Sequence, residues 1–222
     1  MDNLKIKPVS VIDAVAMSLR ERILNGDIPS GTPLPEGELA AQYHVARPTI
    51  RVVIQQLALT GLLHREANRS AYVPRLDVYN IVDLFFVRTM VELEALRLVT
   101  AQRARPAEAD KAVKRLETLE PDAPWSQVVE ADLDFHRALV GATNSQRLLR
   151  LFALLEDEIR LSIAQLKPAY ESAATMAREL RDLLTAIEEG DHATAVSLHR
   201  QHLGQAVSVL TRGATSPSPT PA

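Results

Sequence analysis

The chain has 222 residues, of which 46% are hydrophobic, 24% charged and 4% aromatic, which is enough apolar material for one large core or two small ones. This composition excludes a wholly disordered chain, and the lack of cysteine excludes disulfides, thiolate metal sites and a cysteine nucleophile. The formal net charge of −3 argues against attraction of the whole molecule to nucleic acid. We expect a cytoplasmic protein with no membrane partner, because no signal-peptide pattern or long apolar run is evident.

Charge and periodicity divide the chain into two parts. Residues 1–76 contain nine Lys and Arg against seven Asp and Glu, whereas the remainder contains 16 against 21. The first part combines a helical pattern from Ser10 to Leu24, a loop rich in glycine and proline, two short helical patterns and alternating residues that end at Pro74. Residues 1–76 are therefore predicted to form a small domain of mixed secondary structure.

The stretch from Leu34 to Leu57 predicts two short helices joined by a turn near residues 43–45, which is the spacing of a helix-turn-helix. Arg47 and Arg51, four residues apart, share an outward face near the start of the second helix. Guanidinium groups there can bind guanine edges in a major groove, and Thr49 can contact a phosphate or a base. Four apolar residues of this helix have the spacing i, i+3, i+4, i+7 and are expected to face the core: Ile50, Val53, Ile54 and Leu57.

Residues 61–73 predict two short strands around a turn at residues 67–70, with Leu63 and Val73 pointing inward. Arg69 at the tip of this wing, together with Arg65, is placed to reach the DNA backbone or the minor groove. A solvated charged face is the alternative interpretation of these arginines. The turn, the buried period and the hairpin together favour DNA reading.

Helical periodicity dominates the sequence after Asp77, so the predicted fold class is mainly α. Breaks divide this part into about six helices and fall near Pro106, Pro121–Pro124, Asn144, Pro168 and Gly190. We predict an all-helical domain over residues 77–212. Residues 213–222, rich in proline, serine and threonine, are predicted to be a disordered tail.

Polar residues lie on apolar faces of two of these predicted helices. Asp132 and His136 are at i, i+4 among buried positions, and His202 lies on the apolar stripe of the last helix. Burying such groups is costly unless each is paired or bound to a cation. They suit zinc, nickel, manganese or ferrous iron, with positions left for water or a ligand carboxylate. The alternative is an Asp132–His136 hydrogen bond beside an ordinary core histidine.

The segment LRERILNGDIPSGTPLPEGELAAQYHVARPTIRVVIQQLALTGLLHREANRSAYV resembles the winged helix-turn-helix of GntR-type bacterial transcription regulators over nearly the whole domain. The matching motifs are PSG-x-PLPE, R-x-x-x-R and the GLLHRE entry to the wing. The resemblance implies DNA contacts by Arg47, Thr49, Arg51 and the wing near residues 68–70. The sequence differs at Gly37, where the family usually has Arg, and at Ala46, where it usually has an N-capping Ser or Thr.

Residues from about 78 to 211 resemble the all-helical FCD effector-binding domain of the FadR subfamily, in its shorter, six-helix VanR-like form. The matching motifs are R-x-x-x-E from Arg88 to Glu92, DLDFH from Asp132 to His136, A-T-N ending at Asn144, and A-I-x-x-G-D. The resemblance implies an effector site that includes Arg88, Asp132, His136 and His202. Arg88 can clamp a carboxylate of a small organic acid, or it can pair with Glu92.

Metal-binding members of this subfamily supply one aspartate and three histidines, which the resemblance places at Asp132, His136, Leu180 and His202. Leu180 cannot bind a metal and fits the apolar stripe of its own helix. His199, one turn before His202, is a possible replacement, although its direction differs by about 60°. The resemblance thus implies a divalent metal held by Asp132, His136 and His202.

The leading hypothesis is a homodimeric, ligand-responsive transcription regulator, not an enzyme, that binds a palindromic double-stranded DNA operator beside the nucleoid. One alternative is a helical metalloenzyme with an appended interaction module, although no general base or oxyanion stabiliser can be placed in the sequence. The other is a DNA-binding dimer whose helical part no longer senses an effector.

Overall fold

The structure, a computed structural model, describes residues 10–66, 69–120, 122–165 and 172–214. The chain divides into two compact units after Arg75. The predicted wing-tip residue Asn68 and the predicted tail from residue 215 onward lie outside the described residues. None of the described helices combines the length and apolar character that a membrane span requires.

The first unit contains a helix-turn-helix, as predicted. Ser10 caps the first helix by accepting a hydrogen bond from the backbone N–H of Asp13. His44 adopts a left-handed conformation, with φ of 53°, which ends the second helix and redirects the chain. The elements of this unit are α1 (Val11–Leu24), β1 (Pro33–Leu34), α2 (Glu36–Tyr43), α3 (Arg47–Leu59) and β2 (Ala71–Tyr72).

Helix α3 buries one face against α1 and α2. Its N-cap residue, Ala46, makes no side-chain capping bond, as expected from its methyl group, and Pro48 in the first turn has no N–H that needs a partner. The four predicted core positions are all buried: Ile50, Val53, Ile54 and Leu57. This burial fixes which side of α3 faces solvent.

The wing differs in pairing from the predicted hairpin. β2 pairs antiparallel with β1, with Pro33 opposite Tyr72, and the strand predicted at residues 61–66 contributes a single bridge between His64 and Tyr72. Leu63 and Val73 are buried, as predicted. The β1 partner was missed because two residues, one of them proline, are too short to show an alternating pattern.

The second unit contains six described helices, the predicted number: α4 (Val78–Ala101), α5 (Ala107–Glu117), α6 (Trp125–Gly141), α7 (Gln146–Gln165), α8 (Ala173–Glu189) and α9 (His192–Gly213). Asp77 and Asn80 form a reciprocal capping box at the start of α4. The break predicted at Pro168 lies outside the described residues.

Helices α4, α6, α8 and α9 meet around the position that matters for the predicted site. Leu180 on α8 is fully buried in a cluster of apolar residues that also contains Ala177, Leu184 and Ile187. The expectation that Leu180 is a core residue is therefore confirmed.

Candidate functional site

The start of α3 presents two arginines to solvent. Arg47 and Arg51 are exposed and Thr49 is half-buried, while the opposite face of the helix lies in the core. The Arg47 guanidinium lies across α2 at Gly37, where a Cβ atom would stand only 3.0 Å from Nη2. Glycine at this position thus leaves room for Arg47 where resembling proteins carry an arginine.

Glu36 at the start of α2 organises the neighbouring positive charges. It accepts hydrogen bonds from Arg51 Nε (3.2 Å) and Nη2 (2.9 Å), and Arg65 Nη2 lies 3.4 Å from the same carboxylate. The hydrogen bond from Arg51 holds the pKa of Glu36 below its ordinary value. The Arg51 side chain is therefore restrained but still largely exposed.

Arg69 lies in the wing and pairs with Glu66 at 2.6 Å, with its side chain 73% exposed. Such an exposed pair is weak and can exchange for a phosphate. Arg69 and Arg65 accordingly remain available to a partner beside the start of α3.

The second unit holds six buried polar side chains close together. They come from three helices: Arg88 and Glu92 from α4, Asp132 and His136 from α6, and His199 and His202 from α9. The i, i+4 and i, i+3 spacings place each pair on one face of its own helix. Helix packing brings together the three predicted residues Asp132, His136 and His202 with Arg88, and adds Glu92 and His199.

Three donor atoms in this cluster have the spacing of ligands of one metal ion. Asp132 Oδ1 lies 3.1 Å from His202 Nε2 and 3.5 Å from His136 Nε2, and the two Nε2 atoms are 3.3 Å apart. Ligands about 2.0–2.2 Å from a zinc ion lie roughly 3.0–3.6 Å from one another. Asp132 Oδ1 is buried and faces both histidine nitrogens, so the donor set fits a divalent metal.

Carboxylates stand behind both histidines of this set. Glu179 Oε2 lies 3.0 Å from His202 Nδ1, and Glu92 Oε2 lies 2.6 Å from His136 Nδ1. Metal-binding histidines commonly pair their second ring nitrogen with a carboxylate, which fixes the ring and directs the other nitrogen to the metal. Both Nε2 atoms are thereby directed to the side of Asp132.

His199 occupies the other side of the cluster. Its Nε2 lies 3.2 Å from Glu92 Oε2, and its ring centroid is 5.7 Å from that of His136. Glu92, His136 and His199 are close enough to form a second donor group. The 2.6 Å separation of Glu92 and His136 is, however, too short for two ligands of one ion. His199 therefore contacts the carboxylate behind His136 and does not replace the histidine missing at Leu180.

The Arg88 guanidinium is hydrogen-bonded through one nitrogen, while another nitrogen has no hydrogen-bond partner among the described residues. Its Nε donates to Glu92 Oε1 at 2.7 Å, so the Arg88–Glu92 ion pair that was one of the two sequence predictions is present. Its Nη2 lies 3.9 Å from Asp132 Oδ2 and has no hydrogen-bond partner among the described residues. An unpaired buried N–H of a guanidinium is costly, and a bound carboxylate would satisfy it.

The buried charges shift one another's pKa values. Burial raises the pKa of Asp132, but His136 and His202 outweigh this effect and hold it well below its ordinary value. Burial lowers the pKa of His202, but its contacts with Asp132 and Glu179 dominate and raise it to about 9. Burial lowers the pKa of His199 to about 3. A proton on His202 thus stabilises the metal-free cluster at neutral pH, and a metal would displace it.

Sequence reasoning missed Glu36 and Glu179 as site residues. Glu36 belongs to the PLPE motif but gave no sign of its partner, and Glu179 contacts a histidine 23 residues away. Only the apposition of separate helices reveals these contacts. Glu92 and His199 appeared in the sequence only as possible alternatives.

Family comparisons cover both units. The family described as "Bacterial regulatory proteins, gntR family" matches residues 11–73, and the FCD domain matches residues 83–205. The transcriptional regulator BphR of Paraburkholderia xenovorans (strain LB400) is 28% identical over 213 residues, covering 90% of this chain and 85% of that protein. The gluconate operon transcriptional repressor of Bacillus licheniformis is 31% identical, covering 71% and 67% respectively.

A structural comparison gives the same fold. The GntR transcriptional regulator of Rhodococcus sp. RHA1 has a TM-score of 0.78 and 24% identity, and the match covers 93% of this chain and all of that one. The named relatives and both matching domains belong to transcription regulators, not enzymes. The metalloenzyme alternative finds no support among them.

The buried Arg88–Glu92 pair is expected to contribute to stability in a way that a surface pair does not. Arg88→Met leaves the Glu92 carboxylate buried without its guanidinium and should lower the free energy of unfolding by about 3–5 kcal/mol. Arg97→Met removes the exposed pair with Glu94 on the same helix and should cause no measurable loss. Urea denaturation at one fixed protein concentration measures both. Equal losses in the two variants would contradict the role given to the buried pair.

Proposed function

The chain belongs to the GntR family of bacterial regulatory proteins and carries an FCD domain, and from this premise we propose that it is a homodimeric, ligand-responsive transcription regulator. Residues 1–76 bind a palindromic DNA operator in the cytoplasm, beside the nucleoid. Residues 77–212 bind a small organic acid and form the dimer, and the residues that follow are a tail. The effector releases the operator or retunes its binding.

The observation that carries this proposal is the orientation of α3. Its apolar face is buried, so Arg47, Thr49 and Arg51 lie at the solvent-facing start of the helix, the part that enters a major groove in helix-turn-helix proteins. Arg47 and Arg51 read base edges, Thr49 contacts a phosphate or base, and Arg69 contacts the backbone from the wing. Glu36 restrains Arg51 before DNA binds.

Exposed apolar side chains on two neighbouring helices support the homodimer. Exposed apolar side chains lie along one side of α4 and on the neighbouring part of α7, and α4 and α7 are in contact. They are Tyr79, Val82, Phe86, Val87, Met90, Leu151 and Leu154. Apolar surface of this kind marks an interaction site, and a second copy related by a twofold axis would bury it against the same residues. A twofold dimer matches a palindromic operator.

The polar cluster supports the effector site. The carboxylate of an organic acid pairs with Arg88 Nη2 beside Asp132, His136 and His202. Asp132, His136 and His202 hold one divalent metal, which is zinc, nickel, manganese or ferrous iron, and the metal supplies positive charge and open positions for the same carboxylate. A dimer that no longer senses an effector is the alternative, because Leu180 removes one metal ligand.

Effector binding alters DNA binding only if the acid binds two dimer geometries with different affinity. The two geometries differ in the distance between recognition helices, and the operator half-sites accept one distance better than the other. The coupling between the two sites is then reciprocal, so operator DNA also changes the affinity for the acid.

The DNA assignment is tested with an operator selected by the wild-type protein from a random double-stranded DNA pool. Arg47→Ala and Arg51→Ala should each weaken binding to that operator roughly five- to 150-fold in a mobility-shift assay, since each loses one base contact. Arg97→Ala, an exposed arginine of the second unit, is the matched control and should bind as wild type does. Wild-type affinity in both α3 variants would defeat the proposed recognition helix.

The dimer is tested by placing a charge in the apolar surface. Phe86→Glu should shift the protein from dimer to monomer in sedimentation velocity, because burying an unpaired carboxylate in the interface is costly. Leu59→Glu, at a still more exposed apolar residue of the first unit, is the control and should leave the dimer intact. A wild-type protein that is monomeric at high concentration contradicts the proposal.

The metal is tested by titrating Zn²⁺ into chelator-treated protein and counting bound metal after dialysis. The wild type should bind one ion per chain, and Asp132→Asn and His202→Ala should each bind at least tenfold more weakly because a ligand is lost. His192→Ala changes an exposed histidine of α9, the helix that carries His202, and should leave Zn²⁺ affinity unchanged. Stoichiometric binding that survives both ligand changes would assign the metal elsewhere.

A further inference from the structure

A cavity opens beside the polar cluster in the second unit. It encloses about 450 Å³ when the part that is open to solvent is included. Eight of the eleven described residues that line it are apolar or aromatic, among them Phe85, Val129, Met176 and Val209. The charged members of this lining are three residues that belong to the cluster already described.

The charged groups lie together rather than around the cavity. Asp132 Oδ1 is 3.1 Å from His202 Nε2, and Asp132 Oδ2 is 3.9 Å from Arg88 Nη2. All three side chains are buried, and Arg88 Nη2 has no hydrogen-bond partner among the described residues. An anion could therefore bind at the charged end of the cavity, beside Arg88.

Each helix that supplies a charged group also supplies apolar side chains on the same face. Phe85 precedes Arg88 by three residues on α4, Val129 precedes Asp132 by three on α6, and Val209 follows His202 by seven on α9. Residues three, four or seven apart share a helix face. The remainder of the cavity is therefore a mainly apolar extension of the charged end, completed by Met176 from α8 and by the indole of Trp125.

This extension discriminates between classes of organic acid. An apolar chain gains free energy when it leaves water for such a lining. A hydroxyl placed there loses its hydrogen bonds to water and meets methyl, methylene and aromatic groups instead. Sugar acids carry a hydroxyl on nearly every carbon, so they fit the charged end but not the extension.

We infer that the effector of this chain is a monocarboxylate whose carbon skeleton beyond the carboxylate is apolar, and not a polyhydroxylated sugar acid. The carboxylate lies at the Arg88 end of the cavity. The apolar tail lies against the apolar residues of the extension, such as Phe85, Val129 and Val209. This inference rests on the proposed effector site and specifies its ligand class. It sets the chain apart from relatives that are named for gluconate.

The test uses the full-length protein and a homologous series of acids. Acetate, butyrate, hexanoate and octanoate are titrated in a calorimeter, with and without one equivalent of Zn²⁺. The dissociation constant should fall about fourfold for each added methylene until the cavity is full. Gluconate shares the six-carbon chain and carboxylate of hexanoate and differs in its five hydroxyls, so it should bind more weakly than hexanoate.

Variants of matched chemistry locate the tail. Val209→Thr keeps the side-chain shape and replaces one methyl group of the extension by a hydroxyl, and it should weaken hexanoate binding about three- to tenfold while leaving acetate binding unchanged. Val209 is half-buried, so the folded state tolerates the change. Val11→Thr makes the same substitution at an exposed residue of the first unit and should alter neither affinity.

The outcomes separate this inference from the proposed function. An apolar effector is supported if affinity rises with chain length, if hexanoate binds more tightly than gluconate, and if Val209→Thr weakens hexanoate binding. If gluconate binds as tightly as hexanoate, or if affinity does not depend on chain length, the inference that the effector is apolar is overturned. The proposed effector site itself would still stand. Failure of every acid to bind overturns the effector site itself and leaves a DNA-binding dimer without sensing.

Discussion

The constraint that shapes the second unit is the burial of opposite charges in an otherwise apolar helical bundle. Glu92 lies in contact with Arg88, His136 and His199, and Asp132 lies in contact with His136 and His202. None of these charges could be buried alone, because the cost of removing it from water would exceed what its helix gains by packing. The cluster therefore ties α4, α6 and α9 to one relative arrangement.

The same cluster leaves Arg88 Nη2 without a hydrogen-bond partner among the described residues, and the proposed effector site depends on that group. Two carboxylates, Glu92 and Glu179, engage the outer nitrogens of His136 and His202, so the inner nitrogens converge on Asp132. Arg88 is anchored to Glu92 through Nε and is one of the residues that line the cavity. Carboxylates in this position fix the rings of metal-binding histidines, which is the role proposed for Glu92 and Glu179.

The first unit has the opposite arrangement, because the charged side chains of α3 are exposed and only its apolar side chains are buried. Four buried residues of α3 leave Arg47 and Arg51 no inward orientation. Glu36 then limits the freedom of Arg51, and Gly37 lets Arg47 lie close to α2. Side chains restrained before binding lose less conformational entropy when they meet DNA.

Local pattern was enough to determine the helices, the turn after Tyr43, the buried face of α3 and the inward direction of Asp132, His136 and His202, because helix periodicity and capping depend on near neighbours. The family motifs identified both domains for the same reason. Tertiary structure alone decided that β2 pairs with β1, that Glu36 holds Arg51, that Glu179 supports His202 and that His199 joins Glu92 rather than Asp132. These contacts join residues on separate elements, and their distances depend on how the helices cross, which no short sequence window encodes.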